Sequence, residues 1–112
     1  MSKQEQLLVQ AQTFQQQLQS IIYQKETLSL QLSEAKRAIE ELEKTKETTV
    51  YKITGPILIK VAKKEVISEL NEKEESANLR IKALEKNEMK IKDKLNEISE
   101  ELSSKDSGSY GG

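Results

Sequence analysis

The chain has 112 residues, of which 35% are hydrophobic, 4% aromatic and 33% charged, and its formal net charge is −1. This composition has too few hydrophobic residues for a large globular core and is typical of long solvated helices in a single domain. The balanced charge gives no reason to expect nucleic acid or an anionic membrane as a partner. Cys and His are both absent, which excludes disulfides, thiolate chemistry and the commonest metal ligand.

Two further sequence features bear on location. The longest apolar runs have three residues, such as Ile57–Ile59, and a membrane-spanning helix needs about 20. The first residues, MSKQEQ, lack the character of a secretory signal peptide. We therefore expect a cytoplasmic protein with no membrane contact.

A long helix is predicted from about residue 3 to about residue 47. Apolar side chains recur from Leu7 at alternating steps of four and three, which is the seam of a heptad repeat. Two of its twelve positions are charged, and the positions are Leu7, Ala11, Phe14, Leu18, Ile21, Lys25, Leu28, Leu32, Ala35, Ile39, Leu42 and Lys46.

The first part of this helix is unusual in its side chains. Residues 1–24 include nine Gln but only two charged residues. Leu8, Val9 and Ile22 lie off the seam, so pairing with one other helix cannot cover them all. An uncharged surface with exposed apolar groups can contact unrelated apolar segments. The alternative interpretation is a solvated Gln-rich helix face.

A β-hairpin is predicted at about residues 48–61, where the helical pattern stops. Val50–Ile53 and Ile57–Val61 are rich in β-branched residues and suit two strands. Between them, Gly55 can adopt the positive φ that a two-residue turn requires at its first central position. Pro56 is compatible with the second position of a type II′ turn, where its missing N–H is harmless.

This hairpin has apolar side chains on both faces and unpaired strands at both edges. Such a hairpin is marginal alone and is a site of association. We expect the hairpins of several chains to form a sheet or barrel, from which the helices project. The alternative is a simple turn between two helices, but such turns need only about 2–8 residues. The predicted oligomerisation residues are Val50, Tyr51, Ile53, Ile57, Leu58, Ile59 and Val61.

A second heptad helix is predicted at about residues 63–103, followed by a disordered Ser/Gly-rich tail at 103–112. Half of the residues from 63 to 102 are charged, 20 of 40. Three of the twelve seam positions are charged, and the seam is Lys63, Ile67, Leu70, Glu74, Ala77, Ile81, Leu84, Glu88, Ile91, Leu95, Ile98 and Leu102.

The two helices can fold back on each other as an antiparallel coiled coil of about 60 Å. Aligning Leu7 with Leu102 brings nearly every layer at least one apolar member, and both seams then end together. In this register Lys25 and Glu88 occupy neighbouring layers. They either pair and fix the register, or both extend to water along their apolar stems.

The segment TTVYKITGPILIKVAKKEVISEL, residues 48–70, contains a single hairpin in the pattern V-Y-K-x-x-G-x-x-L-x-K and continues into a heptad helix. With the Gln-rich first helix, it resembles the β subunits of the prefoldin family, most closely the archaeal type, over about residues 4–102. The family's α subunits carry two hairpins per chain, whereas this chain has material for one. Ala62 departs from the expected polar cap before the second helix, which would leave that helix start less firmly fixed.

The resemblance implies a mostly α chain, residues 1–102, within a heterohexamer of two α and four β subunits. Hairpins would form a double β-barrel body with six projecting coiled coils. The family is an ATP-independent chaperone, or holdase, that uses no cofactor. It captures non-native proteins at the coiled-coil tips and delivers them to a group II chaperonin. The two termini would form this chain's tip, and the client-contact candidates are Leu7, Leu8, Val9, Phe14, Ile98 and Leu102.

Two other functional classes differ in how well the sequence supports them. An enzyme is disfavoured because the 19 carboxylates lie along solvated helices, without His, Cys or a Gly-rich loop to complete a site. Zinc-ligand and phosphate-binding spacings do not occur. The alternative that stays open is a structural coiled-coil spacer or tether that binds no client.

Overall fold

The computed structural model describes the backbone of residues 2–111 and the side chains of residues 2–104. Two long helices are joined by one antiparallel hairpin, as the sequence predicts. The elements in chain order are α1 (Lys3–Lys44), β1 (Thr49–Thr54), β2 (Ile57–Ala62) and α2 (Lys63–Gly111).

The ends of α1 are set by local hydrogen bonds. At its start, the Ser2 hydroxyl accepts the Glu5 backbone N–H at 3.1 Å, which is an N-cap. The helix ends at Lys44, slightly before the predicted end near residue 47. There the Thr45 hydroxyl accepts the Glu47 N–H at 3.3 Å. Such a bond offers the backbone an alternative to the next helical turn.

The hairpin has the predicted register. Val50 pairs with Val61, and Ile53 pairs with Leu58 next to the turn. Gly55 has a φ of 58°, and it is the single residue with a positive φ among those described. A positive φ at only the first central position is the property of a type II′ turn, which confirms the turn expected at Gly55 and Pro56.

The helix start at Lys63 follows β2 directly, with Ala62 as the preceding residue. The Lys63 backbone N–H donates to the Thr48 carbonyl at 2.9 Å. This bond extends the hairpin ladder by one step and satisfies the first donor of α2. Glu65 in the first turn adds a favourable charge at the helix N-terminus.

The chain forms two compact units, each containing parts of both helices. The terminal unit comprises Met1–Lys25 and Lys82–Gly112, and the hairpin unit comprises Glu26–Ile81. In each unit the interior is the predicted heptad seam. Within the described residues the buried apolar side chains all lie on it, namely Leu7, Ile21, Ile91 and Ile98 in the terminal unit and Leu28, Ala35 and Ala77 in the hairpin unit.

The remaining seam positions within the two helices are half-buried, as expected when two helices cover each other on one side only. Lys46 lies beyond the end of α1 and is exposed. Over the residues that the structure describes, no helix is long and apolar enough to cross a membrane.

The sequence predicts a disordered tail at residues 103–112. The helix α2 reaches Gly111, and the side chains of residues 105–112 lie outside those described. The disorder of the tail therefore stays a prediction.

Candidate functional site

The hairpin exposes most of the residues predicted for oligomerisation. Strand alternation places Tyr51, Ile53 and Leu58 on one face, where they are 69%, 76% and 66% exposed. On the other face, Ile57 and Ile59 are also exposed. Val50 and Val61, near the hairpin base, are half-buried. We call these seven side chains the hairpin surface; it is a large apolar area that the described side chains leave mostly exposed.

The hairpin is connected to the helices by two lysines. Lys63 donates its backbone N–H to the Thr48 carbonyl and its Nζ to the Thr45 carbonyl, each at 2.9 Å. Lys52 Nζ lies 2.8 Å from Glu69 Oε2 on α2. The hydrogen bond from Lys52 and the charge of Lys52 together lower the pKa of Glu69.

The six predicted client-contact residues lie in the terminal unit, but they differ in exposure. Leu8 and Val9 are 51% and 48% exposed. Leu7 and Ile98 are buried in the seam, and Phe14 and Leu102 are half-buried. The accessible apolar surface therefore belongs to the two residues that lie off the seam, and the other four fill the space between the helices.

Ile22 and Tyr23 extend this accessible surface. Ile22 is marked by the sequence as lying off the seam but is not among the predicted client contacts, and Tyr23 is not marked at all. They are 41% and 71% exposed. They lie two heptads after Leu8 and Val9, hence on the same side of α1 and about 21 Å further along it. We call these four residues the outer stripe. The heptad spacing was the signal that could have found them.

The outer stripe lies in a part of the helix without formal charge. No charged residue occurs from Gln6 to Gln24. The nearest preceding lysine, Lys3, is paired with Glu101 on α2 at 3.1 Å. The terminal unit thus combines an uncharged helix face on α1 with a highly charged α2.

One polar cluster interrupts the seam of the terminal unit. Lys25 Nζ donates to Glu88 Oε1 at 3.1 Å, and Glu85 and Lys92 lie at the edge of the same cluster. The hydrogen bond from Lys25 lowers the pKa of Glu88, and the charges of Lys25 and Lys92 act in the same direction, against the opposing effect of burial. The predicted proximity of Lys25 and Glu88 is confirmed.

The hairpin unit has an open groove of about 650 Å³ between its helices. Small residues at Ala35, Ala38 and Ala77 leave this space, and charged side chains such as Glu74 and Arg80 line its rim. Among the side chains described, no cluster of acidic groups could hold a metal ion. The groove has no arrangement of groups that identifies a ligand.

Comparisons with known proteins agree on one family. A family model described as prefoldin subunit matches residues 5–108. The prefoldin subunit beta of Thermococcus onnurineus is 42% identical over 97 residues, which cover 86% of this chain and 84% of that protein. The prefoldin subunit beta of Archaeoglobus fulgidus shows the same identity and coverage.

A solved structure gives the same result for the fold. The crystal structure of the prefoldin beta subunit from Thermococcus strain KS-1 matches with a TM-score of 0.84 and 36% identity. The match covers 93% of this chain and 92% of that one. The chain therefore belongs to the prefoldin family, within its β subunits of archaeal type.

Proposed function

We propose that this chaperone subunit, which assembles in a prefoldin complex, serves as part of an ATP-independent holdase in the cytoplasm. The complex contains two α and four β subunits, binds non-native client proteins at the terminal units and delivers them to a group II chaperonin. The observation that carries the client-binding role is the outer stripe, four accessible apolar side chains on a helix face with no formal charge from Gln6 to Gln24.

Assembly follows from the hairpin surface. A two-stranded hairpin is marginal alone in water, and this one leaves Tyr51, Ile53 and Leu58 largely exposed. Burying a side chain of Leu or Ile size contributes about 1.5–3 kcal/mol. Hairpins from several chains can bury these side chains together and pair their free strand edges in a β-barrel, with no unpaired edge remaining.

Client binding follows from the terminal unit. Non-native proteins share exposed apolar segments but no common charge pattern, and an uncharged apolar stripe contacts such segments without selecting by charge. One terminal unit offers few side chains, so it binds weakly and releases easily. Several terminal units of one complex acting together hold a client by avidity.

A direct test replaces the accessible apolar residues and leaves the seam intact. In complexes assembled with the α subunit, Leu8→Gln with Val9→Gln should weaken suppression of client aggregation, measured by light scattering, by about tenfold in effective concentration. The matched control is Leu79→Gln, which changes a leucine that is 66% exposed in the hairpin unit. Complex mass should be unchanged in both variants.

The outcomes separate the proposed holdase from the alternative of a tether. A tether predicts that the complex suppresses no aggregation even with the natural sequence. If the natural complex suppresses aggregation and the Leu8/Val9 variant does so equally well, client binding lies elsewhere and the proposed site is refuted.

A further inference from the structure

We propose that Lys63 and Lys52 are positioning residues that set the orientation of the hairpin on α2. They turn the face of the hairpin that carries Val50 and Val61 toward α2. The face that carries Tyr51, Ile53 and Leu58 is then presented to partner chains. This inference rests on the proposed function, in which hairpins of different chains assemble. It adds which face the partners cover and which side chains hold that face in position.

Lys63 fixes the base of the hairpin. β2 continues into α2 without a linker, whereas β1 is connected to α1 through residues 45–48. The backbone N–H of Lys63 bonds the Thr48 carbonyl and its Nζ bonds the Thr45 carbonyl. Lys63, which is half-buried, therefore links residues 45–48, which precede the hairpin, to the start of α2, which follows it.

The side-chain bond of Lys63 is of the strong kind. Its donor is charged, and hydrogen bonds with a charged partner are stronger than neutral ones. Its acceptor, the Thr45 carbonyl, lies directly after the last residue of α1, where the helix dipole favours a cation. Swinging the hairpin on its connection would break this bond.

Lys52 fixes the rotation of the hairpin. Alternation and register place Lys52 on the same face as Val50 and Val61. Its Nζ reaches Glu69 on α2 at 2.8 Å, so this face is turned toward α2. Val50 and Val61 are accordingly half-buried. The opposite face, with Tyr51, Ile53 and Leu58, is accessible along its length, whereas the Lys52 face is accessible only at Ile57 and Ile59, nearer the turn.

A fixed orientation of the hairpin raises the affinity between subunits, because partner hairpins can bind only one orientation. If the hairpin sampled several orientations, only a fraction would match the partner hairpins, and the apparent affinity would fall by that fraction. Contacts made within the chain before assembly remove this cost. The two lysines therefore act on the affinity between subunits through the contacts that they make within their own chain.

The first test uses Lys63→Met, which keeps an apolar side chain of similar length and removes the donor. Lys63→Arg is the matched control because it keeps a charged donor. The measurement is dissociation of the complex on dilution, followed by mass photometry. We expect Lys63→Met to dissociate at about tenfold higher concentration and Lys63→Arg to stay within about threefold of the natural sequence. Equal behaviour of the Met and natural complexes would overturn the role of Lys63.

The second test exchanges the charges of the Lys52–Glu69 pair. Both side chains are substantially exposed, at 43% and 50%, so the variants should fold, which circular dichroism can verify. Lys52→Glu and Glu69→Lys should each weaken assembly about threefold. The double variant should restore it to within about twofold, a rescue that a general loss of stability would not give. If the double variant does not restore assembly, the orientation role of the pair is refuted. This test does not depend on Lys63→Met, so it remains decisive if that variant fails to fold.

A reference variant separates this inference from the proposed function. Ile53→Asp with Ile59→Asp should dissolve the complex if hairpins assemble at all. A complex that survives this change would refute hairpin assembly itself. If the Ile53/Ile59 variant dissolves the complex but Lys63→Met and the charge exchange do not affect it, only the positioning role is refuted.

Discussion

Lys25 and Glu88 form an ion pair inside the seam of the terminal unit, which is otherwise apolar, with 3.1 Å between Lys25 Nζ and Glu88 Oε1. Their side chains are only 27% and 15% exposed. Of the two outcomes that the sequence leaves open, pairing or extension to water, the structure has pairing. A polar pair in a coiled-coil seam serves register more than stability. We infer that this pair helps to hold the antiparallel alignment of α1 and α2 in the terminal unit.

The Lys25–Glu88 pair predicts a defined dependence of stability on pH. Because the pKa of Glu88 in the folded chain lies below its ordinary value of 4.5, the stabilisation is complete above about that pH. It is lost as the pH falls through the lowered value. Glu88→Gln resembles the protonated acid, so the variant should melt below the natural chain at pH 7, and the difference should become smaller as the pH falls to 3.

The measurement for this prediction is thermal unfolding followed by circular dichroism at both pH values. Comparing each variant with the natural chain at the same pH removes the contribution of other carboxylates, such as Glu69, whose pKa is also lowered. Glu97→Gln, at an exposed acid that pairs with Lys94 in the adjacent turn at 3.8 Å, is the control. A Glu88→Gln difference that is the same at pH 7 and pH 3 would contradict the predicted linkage.

In the hairpin unit, substitutions of two nearby leucines should have very different effects on the free energy of unfolding, because only one of them lies in the seam. Leu28 is 7% exposed and Leu30 is 61% exposed on the same helix. Leu28→Ala should lower the free energy of unfolding by about 2–4 kcal/mol, because a cavity is left in the seam. Leu30→Ala should change it by less than about 0.5 kcal/mol. Urea denaturation of both variants measures the difference, and equal effects would show that the predicted seam is not the interior.

Most of the fold could be predicted from the sequence because its signals are local and periodic. A repeat of 3.5 residues identifies the side chains that face the other helix, and the buried residues lie on it. Gly55 and Pro56 fix the turn, and a two-residue turn then fixes the register of both strands. The end of α1 was harder to place because no periodic signal marks it; side-chain hydrogen bonds form there at the Thr45 hydroxyl and the Thr45 carbonyl.

The candidate site could be predicted only in part. The sequence marks Leu8 and Val9 as uncovered and places Leu7 and Ile98 on the seam, where both are buried. The client-contact assignment combined these two kinds of position, because it followed closeness to the chain termini and not exposure. The two bonds of Lys63 join residues that are 15 and 18 positions away, and no periodicity reports such contacts. Lys63 could be identified from the sequence only as a charged seam position.

The turn glycine predicts a penalty that is conformational and not steric. An added Cβ at Gly55 would meet no atom within 4 Å, yet the φ of +58° is one that side chains other than glycine rarely adopt. Gly55→Ala should therefore cost about 1–3 kcal/mol, which corresponds to a rise of about fivefold to a hundredfold in the dissociation constant of the complex. Thr54→Ala, one residue earlier in ordinary strand backbone, is the control. Dilution of the assembled complex measures both, and indifference to Gly55→Ala would contradict the assigned turn.

The outer stripe predicts a preferred spacing in the client. Its two apolar pairs, Leu8 with Val9 and Ile22 with Tyr23, lie about 21 Å apart along α1. An extended chain advances about 3.3 Å per residue, so one client segment reaches both pairs when its apolar residues are about six positions apart. Peptides with this spacing should bind the assembled complex about tenfold more tightly than peptides of equal composition with a spacing of three.

Ile22→Gln is the variant that tests this prediction. It should remove the preference for the longer spacing while leaving binding of the shorter peptide nearly unchanged, because the short peptide uses only the Leu8 and Val9 pair. Leu79→Gln, outside the stripe, should affect neither peptide. Fluorescence anisotropy of labelled peptides gives both affinities. Binding that does not depend on spacing in the natural complex, or a preference that survives Ile22→Gln, would show that the stripe does not act as one continuous surface.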